Sequence, residues 1–149
     1  MKRAFGLVLI ISIIVIGIAG CSSTLAGNSE TNVIIYNDFI AALQAKKYTI
    51  KEIEPPSDGV GLSFFSVIPK RIEINGQGIV ICEFENSGIA KLEAQTISED
   101  GNMIGNSMFE WIDIPHFYQQ GNLIVEYTGS NKKLLDDLSK IVGKPITNQ

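Results

Sequence analysis

The sequence predicts one α+β domain over residues 32–149: an antiparallel sheet with helices packed on one face and elements in the order α-β-β-β-α-β-β-α. Strand-like runs cluster instead of alternating one by one with helices, which argues against βαβ units. Asn75-Gly76 joins two such runs, and that pair is favoured in tight antiparallel turns that need positive φ. Three segments repeat their apolar residues at helical spacing. A body of this length buries a single core.

The elements follow in chain order. Tyr36, Phe39, Ile40 and Leu43 recur at helical spacing before Lys46-Lys47, giving a helix over 32–46. Tyr48 to Glu54 suits a strand, which Pro55-Pro56 ends. Pro55 to Gly61 is a turn-rich loop, and Leu62 to Ile68, apolar and β-prone up to Pro69, reads as a second strand. Arg71 to Ile74, the Asn75-Gly76 turn and Ile79 to Phe84 make a hairpin. Asn86 or Ser87 caps a helix carrying Ile89, Leu92, Ala94 and Ile97, stopped by the Asp100-Gly101 turn. Met108 to Ile114 reads as a strand, and Pro115 and Gly121 bracket a short connection, His116 to Gln120. Leu123 to Tyr127 resumes as a strand. The last helix has Ser130 or Asn131 as its cap, Leu134, Leu135, Leu138, Ile141 and Val142 as its buried stripe, and Gly143 then Pro145 as its stop.

Of the 149 residues 45% are hydrophobic and 19% charged, with a formal net charge of -4. These values exclude a disordered chain, a polytopic membrane protein and a strongly basic nucleic-acid binder, so no nucleic-acid partner is expected. The apolar residues are unevenly placed, with 14 of them in positions 1–20. Beyond that stretch 10 basic side chains face 16 acidic ones.

Lys2 and Arg3 precede a nearly unbroken apolar run from Ala4 to Ala19, followed by Gly20 and Cys21. The run is short of the roughly 20 residues that span a bilayer, and it ends in small residues instead of a basic cluster. Cleavage is therefore expected over retention. Ile18-Ala19-Gly20-Cys21 resembles the lipobox of bacterial lipoprotein signal peptides. The resemblance implies removal of residues 1–20, a diacylglyceryl group on the Cys21 thiol and a membrane partner reached through that anchor. Two acyl chains hold stably, since each buried CH₂ contributes about 0.8 kcal/mol. Residues 21–31, small, polar and without period, read as a flexible tether. With Cys21 consumed, Cys82 is the remaining thiol; no disulfide can form within the chain, and its strand-like setting suits a small buried hydrophobe.

The chemistry-bearing residues are few. His116 is the single histidine, so any nucleophile would have to use it as base, and no G-x-S-x-G elbow exists. One His and one remaining Cys do not make a zinc site, and no cofactor is implied. Ser98 to Asn102 resembles a calcium loop but lacks the alternating oxygen ligands and the closing Glu. Gly59-Val60-Gly61 is followed at the third glycine's place by Phe64, so it is not a dinucleotide fingerprint. Glu110 and Asp113 lie near Trp111 and His116 in sequence, where they either border a groove or sit as solvated charges. Phe109, Trp111, Phe117, Tyr118 and Tyr127 crowd one segment, as core or as a rim, with Trp111, His116 and Tyr118 the candidates for contact with a ligand or partner.

Phe64-Phe65-Ser66-Val67, the Arg71 to Asn75-Gly76 hairpin, Ser98-x-Asp100-Gly101, Trp111 and Pro115-His116-Phe117-Tyr118 followed by Leu123-Ile124-Val125 resemble a set of small exported, lipoprotein-like proteins of Gram-positive bacteria. The likeness covers roughly residues 60 to 144. It implies export and a single domain, and it carries over no mechanism and no functional residue. The expectation is a lipid-anchored, extracytoplasmic binding or interaction module of the cell envelope, not an enzyme, with an envelope protein or a small ligand as partner. The rivals are a small hydrolase or ligand carrier using His116 with Glu110 or Asp113, and a purely structural lipoprotein. A pocket at His116 favours the first rival, and an exposed apolar patch favours a protein partner.

Overall fold

The computed structural model of the chain describes residues 34–54 and 64–148. The expected signal segment, Cys21, the expected tether and the expected loop from Pro55 to Gly61 lie outside the described residues. Among the described residues no helix is long and apolar enough to cross a membrane.

Helix α1 (Tyr36–Ala45) leads into β1 (Ile50–Ile53), β2 (Lys70–Ile74) and β3 (Gln77–Glu83). Helix α2 (Ser87–Ala94), the short strands β4 (Met103–Ile104) and β5 (Ser107–Met108), β6 (Pro115–Gln120), β7 (Leu123–Thr128) and α3 (Lys132–Val142) follow. Strands β1-β2-β3-β7-β6 form one antiparallel sheet, while β4 and β5 pair with each other. The α+β class stands, and the helices and sheet strands follow the order α-β-β-β-α-β-β-α. The second strand expected over Leu62 to Ile68 is not found among its described residues, 64–67 being a series of bends, while Leu62 and Ser63 lie outside the described residues.

Local rules act where the sequence places them. Asn75 (φ 52°) and Gly76 (φ 78°) both take the left-handed conformation that closes β2 onto β3. The Asn86 side chain accepts from Gly88 and Ile89 amides at 3.0 Å each, and Asn131 accepts from Leu134 at 3.2 Å. Helix α2 ends earlier than its apolar pattern suggests. Ile97 lies beyond it in a bridge to Ile104, and Leu92 is 65% exposed.

Two corrections concern strands. The segment expected as a connection, His116 to Gln120, belongs to β6, whereas most of Met108 to Ile114 lies outside any strand and Ile112 is fully exposed. Pro115 opens β6 without breaking it, because β6 is an edge strand and its first residue has no ladder bond to lose. The C-terminal segment covers that edge: Ile146 N–H donates to the Phe117 carbonyl at 2.7 Å, and Phe117 N–H donates to Thr147 Oγ1 at 3.3 Å.

The expected layering holds for two helices and changes for the third. Helices α1 and α3 cover one face through Phe39, Leu43, Leu134, Leu138 and Val142 against Ile72, Ile79, Ile81, Val125 and their neighbours. Helix α2 packs on the opposite face, with Ala90 buried against Cys82, Phe84, Phe117 and Ile124. Strands covered on both faces lose the alternation that would assign helices to a side, and β3 and β7 read as apolar runs for that reason, whereas β2 keeps its alternation.

Polar contacts tie the α1/α3 face together at its margins. Asp137 of α3 accepts from Lys133 Nζ at 2.8 Å, Tyr48 OH at 2.9 Å and Lys46 Nζ at 3.0 Å. Its carboxyl is held far below the usual carboxylate range, first by Lys133 and then by Lys46 and Tyr48. At the other margin Tyr36 OH donates to Glu52 at 2.9 Å, and the Lys70 ammonium lies 3.9 Å above the Tyr36 ring. Burial and the adjacent carboxylates push the Tyr36 phenol up to about 12.

Candidate functional site

The three residues marked as contact candidates fall on different faces. His116 and Tyr118 alternate with Phe117 along β6, so their side chains leave the sheet on the α1/α3 side while Phe117 leaves it on the α2 side. His116 is 7% exposed and Tyr118 1%. Nε2 of His116 lies 3.0 Å from the Gly129 carbonyl, and a carbonyl only accepts, so Nε2 carries the proton. Burial lowers the imidazole pKa, and the Gly129 bond and the charge of Asp113 only partly oppose it. The Tyr118 phenol is raised by burial beneath α3, with Ser139 as its polar neighbour.

Glu110 and Asp113 are both exposed. Asp113 accepts from the Ile114 amide at 2.8 Å and from the Ser130 hydroxyl at 3.4 Å. Asp100 turns its carboxylate back onto its own loop, taking the Ser98 hydroxyl at 2.6 Å and the Asn102 amide at 3.0 Å. Among the described residues no three His, Cys, Asp or Glu side chains gather as a metal group would require.

Trp111 stands apart from the other two candidates, on the α2 side. Its indole N–H donates to the Gly101 carbonyl at 2.9 Å. Gly101 holds φ at +72°, and a Cβ there would meet Pro115 Cγ at 3.0 Å, so glycine is what lets the indole loop close over β6. From Trp111 the rings run inward to Phe117, edge-on at 5.8 Å between centroids, and outward to Phe109 at 5.7 Å and Phe64 at 6.0 Å.

Behind these rings lies a cavity of about 170 Å³. Val80 and Cys82 of β3 and Ile124 and Glu126 of β7 form its floor, with Arg71 of β2 at one side. Phe64, Phe65, Pro69, Trp111 and Phe117 wall it. The rim is open at Phe64, which is 43% exposed, while the paired Met103 and Met108, 41% and 77% exposed, line a neighbouring hollow with Phe109 on the other side of Trp111. Cys82 is buried on the floor. Glu126 is half-buried, takes the Thr128 hydroxyl on Oε1 at 2.6 Å, and has its pKa raised because burial outweighs that bond and the Arg71 charge.

Of the cavity residues the sequence singled out Trp111 as a contact residue and Phe117 within the aromatic cluster. Arg71, Glu126 and the two phenylalanines at 64 and 65 were not marked as site residues. One signal was there to be read: Glu126 is the sole charge in Leu-Ile-Val-Glu-Tyr, a strand otherwise buried along its length. No family model, no characterised protein and no solved structure matches this chain.

Proposed function

We propose that this chain is a lipid-anchored, extracytoplasmic binding module of the cell envelope, held through Cys21 and presenting the aromatic cavity on the α2 side to an apolar group. The cavity carries the reading. Its volume of about 170 Å³ is close to the roughly 150 Å³ of an apolar protein cavity that takes up benzene, so it suits one ring or one short branched chain. Its walls are apolar and its polar groups few, as in small-ligand sites, and the exposed Phe64 at its rim suits contact with a partner.

The hydrolase reading has less support. His116 lies on the far side of the sheet with its N–H committed to Gly129, and it is not among the residues that line the cavity. The structural reading explains the packing but gives the open aromatic pocket nothing to do.

The test is titration of the full-length protein with toluene, followed by methyl resonances. Val80 and Ile124 should shift while Ile72 and Ile79, on the other face, stay still, and Val80→Phe should abolish the response. Equal shifts on both faces, or none, would overturn the assignment of the site.

A further inference from the structure

The cavity has an apolar seat and a polar seat, and the register of the sheet sets their spacing. Arg71 pairs with Val80, and Val80 with Glu126, so guanidinium and carboxyl leave the same face with one valine between their strands. Two residues along, Cys82 pairs with Ile124 and the floor is apolar. A two-residue step is about 6.8 Å, the scale of one ring and its substituent.

Charge then selects the head group. The Arg71 charge already acts on the Glu126 carboxyl across that row, so a cationic head gains less there than at a lone carboxylate, and an anionic head is repelled by the carboxyl. A wholly apolar ligand would cover a carboxyl for which the Thr128 hydroxyl is the one donor and no described cation lies in ion-pair reach. A neutral hydroxyl donates to the carboxyl without adding charge to either end of that row. The walls select the body: Trp111 stands edge-on to Phe117 at 69° and to Phe64 at 87°, the arrangement in which a further ring finds both faces and edges to pack on.

We propose that the cavity binds a phenolic group, its ring over Cys82 and Ile124 against Trp111 and its hydroxyl donating to Glu126. This rests on the cavity being the binding site. The phenol comes either from a free small molecule or from a tyrosyl side chain offered by a protein partner, and the chemistry of recognition is the same.

The experiment compares p-cresol, toluene, benzylamine and the tripeptide Gly-Tyr-Gly on the full-length protein, read by the Val80 and Ile124 methyl resonances. The expected result is p-cresol at least tenfold tighter than toluene, with benzylamine weaker than p-cresol, since covering the half-buried Glu126 carboxyl without supplying a donor costs about a factor of ten or more. Glu126→Leu should erase the preference while keeping toluene binding, and Glu126→Gln, which retains an acceptor, should keep part of it. Binding of Gly-Tyr-Gly as tight as p-cresol supports a tyrosyl source, and binding of p-cresol alone supports a free phenol. Equal affinity for toluene and p-cresol, or tighter benzylamine, would overturn the phenolic assignment and leave the cavity as the site. Failure of every probe would overturn both.

Discussion

The His116 imidazole and the Gly129 carbonyl are joined by a 3.0 Å hydrogen bond between the first strand residues after Pro115 and the turn that follows β7. The ring also stacks on Tyr127 at 17° and 6.2 Å between centroids. His116→Ala removes both contacts and leaves a buried acceptor without its donor, so it should lower unfolding free energy by about 1–3 kcal/mol. The folded imidazole has a pKa below its ordinary 6.5. The unfolded chain therefore takes up the proton first, and stability is full above that value and falls as pH drops below it. Urea unfolding across mildly acidic pH should show this slope in the native sequence and a flatter one in His116→Ala. A variant as stable as the native protein would remove His116 from the set of structural residues.

Gly129 has φ of +156°, and a Cβ there would run into the Tyr127 hydroxyl. That hydroxyl donates to Gln77 Oε1 at 2.6 Å, so displacing it breaks a link between β3 and β7. Gly129→Ala should cost roughly 2 kcal/mol or more, from strain and overpacking together. Gly78→Ala is the control, with nothing within 4 Å of the added methyl and no positive φ. Its expected effect stays within about 1 kcal/mol of zero, and equal losses for the two would contradict the packing described around Tyr127.

Asp137 contributes stability only while ionised. Its folded pKa lies below the ordinary 3.8, so the contribution is present above that value and is lost as pH falls through it toward the folded pKa. Asp137→Asn should lower stability at neutral pH by about 1–2 kcal/mol, a figure kept modest because Lys133 and Lys140 are largely exposed and screened. Thermal melts of the two proteins should converge in strong acid, and a constant gap at all pH values would count against this ion cluster.

Val80 and Ile81 are chain neighbours on opposite faces of β3, one facing the cavity and one in the α1/α3 core. Val80→Phe should cost less than about 1 kcal/mol because empty space receives the ring. Ile81→Phe, at a position with no exposed surface, should cost about 1–3 kcal/mol. The reverse order of the two midpoints in urea would show that the cavity is not open to a side chain.

The anchor proposal makes its own prediction. Intact mass of the native protein should match a chain beginning at a diacylated Cys21, and Cys21→Ser should accumulate as uncleaved precursor. An unmodified Cys21 behind a retained residue 1–20 segment would sink it.

What the sequence determined by itself is whatever depends on near neighbours along the chain. Asn75-Gly76 fixes a turn because its backbone preference needs no partner. Asn86 and Asn131 cap because a side-chain oxygen reaches amides two or three residues on. The apolar stripe of α3 shows because one face of that helix stays in water. Tertiary structure decided the rest. Pro115 reads as a breaker until β6 is known to lie at the sheet edge, and Phe117 and Tyr118 report no face until helices are seen on both. The candidate site belongs to this second kind: Arg71, Val80 and Glu126 form one row only because β3 pairs with β2 on one side and with the distant β7 on the other. Pairing across such a chain separation is set by burying both sheet faces at once, a global balance that no local residue pattern encodes.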